Sequence, residues 1–184
     1  MNVVETSLPG VLIIDPEVFR DKRGFFLESF HKQRYAEVGV PGVDQEFVQD
    51  NHSQSNKKVL RGLHFQIKNP QGKLVSVSKG KVFDVVADVA PDSPNYRKWV
   101  GVELNEDNHR QLWIPPSYAH GFCVLSDVAD FHYKCTALYH SQYENGIRWD
   151  DPEIGIEWPI SHPILSNKDA SLPLLSQILS SELP

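Results

Sequence analysis

Two cysteines, one methionine and no apolar run near the roughly 20 residues that a membrane span requires set the first limits on this 184-residue chain. Cys123 and Cys135 are too few for a disulfide scaffold or a dedicated thiolate metal site, and their apolar neighbours mark them as reduced core thiols. Positive charge is not in excess either. With 18 Lys and Arg against 24 Asp and Glu the net charge is -6, so the basic face of a broad nucleic-acid binder is not expected. A small anionic ligand stays compatible, because a few arginines converging in a pocket can oppose the global sign. The start, Met1 to Ser7, lacks the basic and apolar regions of a secretory signal, which makes the expected location cytoplasmic. Helical periodicity is largely missing, as are solenoid repeats and low-complexity blocks.

What the chain does contain is a series of short strand-like runs separated by turn signals, at the interval of a β-sandwich or barrel. Such runs are read at 8–14, 25–30, 74–78, 82–89, 99–104, 111–114, 121–125, 129–138 and 146–149. Residues 15–24 read as a polar loop, and Lys79-Gly80-Lys81 as a compact hairpin turn. In the run after that turn, alternation sets Phe83, Val85, Ala87 and Val89 on one face and Val82, Asp84, Val86 and Asp88 on the other. The best helix candidate is 31–39, stopped by Gly39 with Pro41 beyond, and a second short helix is read within 172–183. The tail carries Trp158, Ile160, Ile164 and Leu165, enough apolar surface to wrap onto the body. The expected organisation is one domain over 1–184, with N-terminal strands and loop in 1–45, the β-rich core in 46–150 and the packed tail in 151–184.

The chemistry concentrates around Val59-Leu60-Arg61-Gly62-Leu63-His64-Phe65-Gln66. Strict alternation puts Leu60, Gly62, His64 and Gln66 on one face and Val59, Arg61, Leu63 and Phe65 on the other. Nearby, Gln49 to Ser55 is polar without being a charge run and offers both donors and acceptors, as a pocket wall would. A β-barrel metal site would want a second imidazole close to His64 and then an acidic ligand. Gln66 and Lys73 stand near those places, and an ammonium beside a divalent cation is unfavourable, so no metal is expected. A proton-transfer site fits better. His64 as base needs an orienting carboxylate, for which Asp84, Asp88, Glu144 and Asp169 are candidates, while Tyr133 can face it as acid and Lys73 can stabilise an oxyanion. On the residues alone, a core-packed tyrosine and a structural histidine both stay open. Glu28, set among aromatics in 25–30, needs either a partner or an exposed edge.

Several segments together carry a resemblance. They are Arg23-Gly24-Phe25-Phe26 with Glu28, Gln49-Asp50-Asn51-His52-Ser53, Leu60 to Gln66, Gln71-Gly72-Lys73-Leu74-Val75, Ile114-Pro115-Pro116 through Ala119-His120-Gly121-Phe122, Tyr133-Lys134 with Thr136, and Leu165-Ser166 with Lys168-Asp169. In this order the chain resembles the dTDP-4-dehydrorhamnose 3,5-epimerases almost end to end. The resemblance implies an all-β, cupin-type jelly roll with a few short peripheral helices. It further implies a homodimeric isomerase without metal or cofactor, acting on a dTDP-linked 4-keto-6-deoxyhexose through enolate intermediates. By that resemblance His64 is the base with Asp169 as dyad partner, Tyr133 the opposing acid and Lys73 the enolate stabiliser. Arg61 and His120 would line the sugar and phosphate region, with Gln49, Asn51, Glu28, Lys168 and Glu144 completing the contacts. Arg23 would reach the nucleotide across the dimer interface, and Phe19 or Phe26 would stack on thymine. Ser117-Tyr118 and Ala90-Pro91-Asp92 depart from the family pattern without touching these groups. The alternatives are a 3-epimerase or ketoisomerase on the same sugar, a metal-dependent cupin oxygenase, and a catalytically silent nucleotide-sugar binding module.

Overall fold

Short runs rich in valine, isoleucine, leucine and aromatics bury their apolar faces by stacking one sheet on another. The computed structural model, which describes residues 1–42 and 45–184, shows that solution. Its strands are β1 Asn2–Glu5, β2 Leu12–Asp15, β3 Val18–Asp21, β4 Gly24–Leu27, β5 Gln49–Asn56, β6 Leu60–Gln66 and β7 Lys73–Lys79 in the first half. They continue as β8 Lys81–Ala87, β9 Trp99–Asn105, β10 Gln111–Ile114, β11 Ala119–Val124, β12 Val128–Cys135 and β13 Glu144–Gly146, with short helices α1 Lys32–Ala36 and α2 Asn167–Ala170. One sheet runs β1-β2-β10-β7-β12-β5, the other β13-β6-β11-β8-β9, and β3 and β4 form a hairpin apart. This is the all-β jelly roll that the resemblance implied.

Between the sheets lies the main core, built from Val75, Val77 and Phe131 on one side and Val82, Val86 and Phe122 on the other. Phe122 and Phe131 stack across the gap with ring centroids 4.1 Å apart. Each such side chain, fully buried, contributes about 1.5–3 kcal/mol. The alternation read along β8 holds: Val82 and Val86 face this core, whereas Val85, Ala87 and Val89 face a second cluster completed by Ile154 and Leu175 of the tail. A third cluster, with Tyr35 and Val40 against Leu74 and Trp113, covers part of the other sheet's outer face.

The tail is fastened by polar contacts as well as apolar ones. Asp151, almost fully buried, accepts from the amides of Glu153, Ile154 and Leu175, and the Leu60 amide donates to the Ile164 carbonyl at 3.0 Å.

Several local expectations are corrected. Lys79-Gly80-Lys81 does not close a hairpin, since β7 and β8 belong to different sheets and the turn carries the chain across the sandwich. Gly80 has φ +76°, and a Cβ there would sit 2.0 Å from the Val128 carbonyl oxygen, so glycine is needed at this crossing. The loop read at 15–24 contains β3 and the start of β4, because the two strands satisfy each other's backbone groups as an exposed ribbon. The helix read in 172–183 is two 3₁₀ turns, Leu175–Gln177 and Ser180–Glu182, and the one at 31–39 is confined to α1. β1 was not read from the sequence at all; it pairs with β2 as an edge.

Candidate active site

The site begins with a fault in the alternation of β6. His64 pairs with His120 and Arg61 with Phe122, so two residues, Gly62 and Leu63, stand opposite the single Gly121. That bulge corrects the expected faces: Arg61 and His64 both line one cavity, while Leu63 and Phe65 go to the cluster beneath the tail. Only glycines permit it. Gly62 has φ +123°, and a Cβ on it would lie 2.6 Å from the Gly121 Cα and 2.8 Å from the His120 carbonyl oxygen.

The cavity, about 420 Å³, opens between the two sheets. From the five-stranded sheet come Arg61, His64, His120 and Glu144; from the six-stranded sheet come Gln49, Asn51, Ser53, Lys73 and Tyr133; and Ser166, Lys168 and Asp169 enter from the tail. On β12 the inward side runs from Phe131 in the apolar core to Tyr133 on the cavity wall. His64 and Tyr133 therefore approach from facing walls.

His64 Nε2 lies 2.6 Å from Asp169 Oδ1. Asp169 is held in turn by Ser166, which caps α2: its hydroxyl donates to Asp169 Oδ2 at 2.9 Å and accepts the Asp169 amide at 3.0 Å. Burial acts to raise the Asp169 pKa, but the hydrogen bonds from His64 and Ser166 outweigh it and hold the carboxyl below its ordinary value. With Nε2–H committed to Asp169, the free lone pair of a neutral His64 is on Nδ1. Glu144 Oε1 is 3.8 Å from that atom, and Glu144 Oε2 accepts from the Tyr139 hydroxyl at 2.6 Å and from the Lys168 ammonium.

Deeper in the sandwich, His120 Nε2 faces both oxygens of Asp84 at 3.0 Å, with Asp84 fully buried. Burial lowers the His120 pKa and raises that of Asp84. Asp84 therefore serves His120, not His64, among the carboxylates considered for orienting the base. Burial also depresses Lys73, and the negative potential of Cys135, Glu144 and Asp84 restores part of its affinity for a proton. Tyr133 is raised by burial, which keeps its hydroxyl protonated at rest.

Ten of the fourteen expected residues thus meet in one cavity: His64, Asp169, Tyr133, Lys73, Gln49, Asn51, Arg61, His120, Glu144 and Lys168. Four do not. Arg23, Phe19 and Phe26 sit on the β3–β4 hairpin around a separate concavity, with Phe26 68% exposed and Arg23 paired to Asp21. Glu28 pairs with Arg34 at 2.8 Å, the partner its aromatic setting called for. Asp88 is engaged with Ser93 in a turn. Gln66 is occupied structurally, donating to the Asn69 carbonyl and accepting from the His140 amide. The polar segment read as a pocket wall does supply Ser53, whereas the sequence reading missed Tyr139, Gln71 and Ser166 as lining residues. Ser166 was legible as a helix cap three residues before Asp169; Tyr139 had no such signal.

A partly buried histidine–carboxylate pair, a protonated tyrosine on the facing wall and a desolvated lysine lining the same cavity define a proton-transferring enzyme on a jelly-roll scaffold. Comparison with known proteins agrees. The family model described as dTDP-4-dehydrorhamnose 3,5-epimerase matches residues 5–177. The chain is 53% identical over 184 residues to the dTDP-4-dehydrorhamnose 3,5-epimerase of Salmonella typhimurium, covering 99% of this chain and 100% of that one. It is 37% identical over 179 residues to a dTDP-4-dehydrorhamnose 3-epimerase of Streptomyces niveus, covering 96% and 85% respectively. The crystal structure of a dTDP-6-deoxy-D-glucose-3,5-epimerase from Legionella pneumophila Philadelphia 1, in complex with dTDP-4-keto-L-rhamnose, superposes with a TM-score of 0.95 at 49% identity, covering 100% of this chain and 97% of that one. The chain belongs to the dTDP-4-dehydrorhamnose 3,5-epimerase family, and its fold is of the cupin type.

Proposed function

We propose that this protein inverts C3 and C5 of dTDP-4-dehydro-6-deoxy-D-glucose to give dTDP-4-dehydro-L-rhamnose. The observation that carries the reading is the placement of His64, backed by Asp169, and Tyr133 on facing walls of one cavity. Both carbons lie α to the C4 ketone, so loss of either proton gives an enolate that can be reprotonated from the other face. His64 Nδ1 removes the proton, Asp169 stabilises the imidazolium, and Tyr133 returns a proton from the opposite side. Lys73 sits to offset the charge that develops on the C4 oxygen, its ammonium made more effective by the low-dielectric surroundings that also depress its pKa. Arg61, held by Ser55 at 3.1 Å, supplies positive charge for the diphosphate, and His120, Gln49, Asn51, Glu144 and Lys168 complete the contacts.

The enzyme acts as a homodimer in which the β3–β4 hairpin of one subunit serves the cavity of the other, bringing Arg23 and Phe19 or Phe26 to the nucleotide. Three exposed aromatic rings on that hairpin, Phe19, Phe25 and Phe26, support this, since such a ribbon has little to pack against within its own chain. The chain works as one domain, for the tail provides Asp169. The free thiols Cys123 and Cys135 suit a reducing cytoplasm, and among the described residues no helix is long and apolar enough to cross a membrane.

The test is His64→Ala: turnover falls by roughly 10²–10⁴-fold while dTDP binding persists. Unchanged turnover would remove His64 as base, and the enzyme would then have to be sought in another arrangement.

A further inference from the structure

Each inversion takes one proton from carbon to His64 and delivers a different one from Tyr133. It therefore ends with His64 protonated and Tyr133 deprotonated, and a second inversion of the same sugar cannot start until His64 has shed its proton. The site restricts how that happens. His64 is only 25% exposed, and its Nε2 is committed to Asp169, so the proton gained on Nδ1 must leave from Nδ1. Lys73 and Arg61 are cationic neighbours that do not accept protons, and His120 turns its Nε2 toward the fully buried Asp84, away from any outlet.

Glu144 stands in the other direction. Among the described residues it is the one carboxylate in ion-pair reach of Nδ1, with Oε1 at 3.8 Å. That gap exceeds a hydrogen bond and is spanned by a small swing of the side chain or by one water. Its second oxygen accepts from Tyr139 and Lys168, both about half exposed, while the Glu144 side chain itself is 12% exposed. A largely shielded carboxylate therefore connects the base to two groups that exchange protons with solvent.

We propose that Glu144 is the proton-exit group of this site, resetting His64 between the two inversions. The Nδ1–H bond breaks as Glu144 Oε1–H forms; the carboxylic proton then passes outward through the Tyr139 hydroxyl or the water around Lys168. One proton leaves by this route for each proton that Tyr133 recovers from solvent, so the cycle closes without net charge. This role rests on the reading of His64 as base and Tyr133 as acid, and goes beyond contact between Glu144 and the substrate.

The experiment is steady-state turnover of the full-length protein and its Glu144→Gln variant on the dTDP-4-keto sugar, across a series of imidazole and acetate concentrations at fixed pH and ionic strength. Glutamine keeps the shape and the contacts to Tyr139 but cannot carry the proton. The expected result is a loss on the order of 10²-fold, release of singly inverted sugar, and recovery that rises with buffer concentration, in contrast to a buffer-independent wild type. Full activity in the variant, or a deficit that no buffer alters, overturns the exit role. Should Glu144→Gln not fold, Glu144→Ala carries the same test, since it removes the carboxylate that feeds both outlets and leaves room for acetate: buffer-dependent turnover supports the route and buffer-independent turnover refutes it. Failure of the underlying reading shows elsewhere, as absence of solvent deuterium from the product of the wild-type enzyme.

Discussion

Asp169→Asn isolates what the tail contributes to the base. Asp169 Oδ1 accepts from His64 Nε2 at 2.6 Å, and its other oxygen accepts from Ser166, so an asparagine has two ways to fit. If its NH₂ faces His64, Nε2 must become the acceptor and the neutral imidazole carries its proton on Nδ1, the atom needed as base. If its oxygen faces His64, the tautomer survives but the charge that stabilises the imidazolium is gone, along with a hydrogen bond to a charged group worth about 1.5–3 kcal/mol. The second case alone costs roughly 10–150-fold by that figure. The first approaches the loss of about 10⁴ seen for the equivalent change in serine-protease triads. Turnover should therefore fall by about 10–10⁴-fold, depending on which way the asparagine sits, with dTDP affinity, measured by calorimetry, unchanged. A variant within about threefold of wild type would refute Asp169 as the partner of the base.

Gly62→Ala should destabilise the protein by about 2–5 kcal/mol in urea unfolding, combining left-handed strain with overpacking against Gly121, and should abolish turnover; unaltered stability and rate would remove the bulge as a requirement. Because burial depresses Lys73 and only its charged form offsets an enolate, activity should decline with rising pH below the ordinary lysine value of about 10.4, and a decline only at or above that value would contradict the burial of the ammonium. Asp84→Asn removes a negative charge that favours the Lys73 ammonium, so this alkaline limb should move further down; an unmoved or raised limb contradicts the coupling. The Asp169 carboxyl is held below its unfolded value, so its stabilising contribution is complete above about pH 3.9 and is lost as pH falls through the folded value. The stability gap between wild type and Asp169→Asn should close over that acid range, and a constant gap would count against the ion pair.

The β architecture was legible because alternation and turn residues are local signals. The two faces of β8, read at 82–89, came out as drawn, one toward Phe122 and Phe131 and the other toward the tail. Departures from alternation were not legible. The bulge at Gly62 depends on Gly121 of a strand nearly sixty residues away, so the pattern alone placed Arg61 and His64 on opposite faces. Gly80 looked like a hairpin glycine because a tight turn has the same residues whether it joins neighbours or crosses between sheets. The carboxylate partners followed the same division. Four candidates were visible for His64, yet nothing local distinguished Asp84, which the fold gives to His120, from Asp169, which a four-residue helix delivers from the tail. The family resemblance, carried by many short segments at once, made that distinction.

The most direct test of the central claim is turnover in D₂O, with NMR of the product sugar. Removal by His64 and return by Tyr133 from opposite walls predict solvent deuterium at both C3 and C5. Label at C3 alone would reduce the activity to that of a 3-epimerase, and product free of deuterium at both carbons would contradict proton transfer at this site.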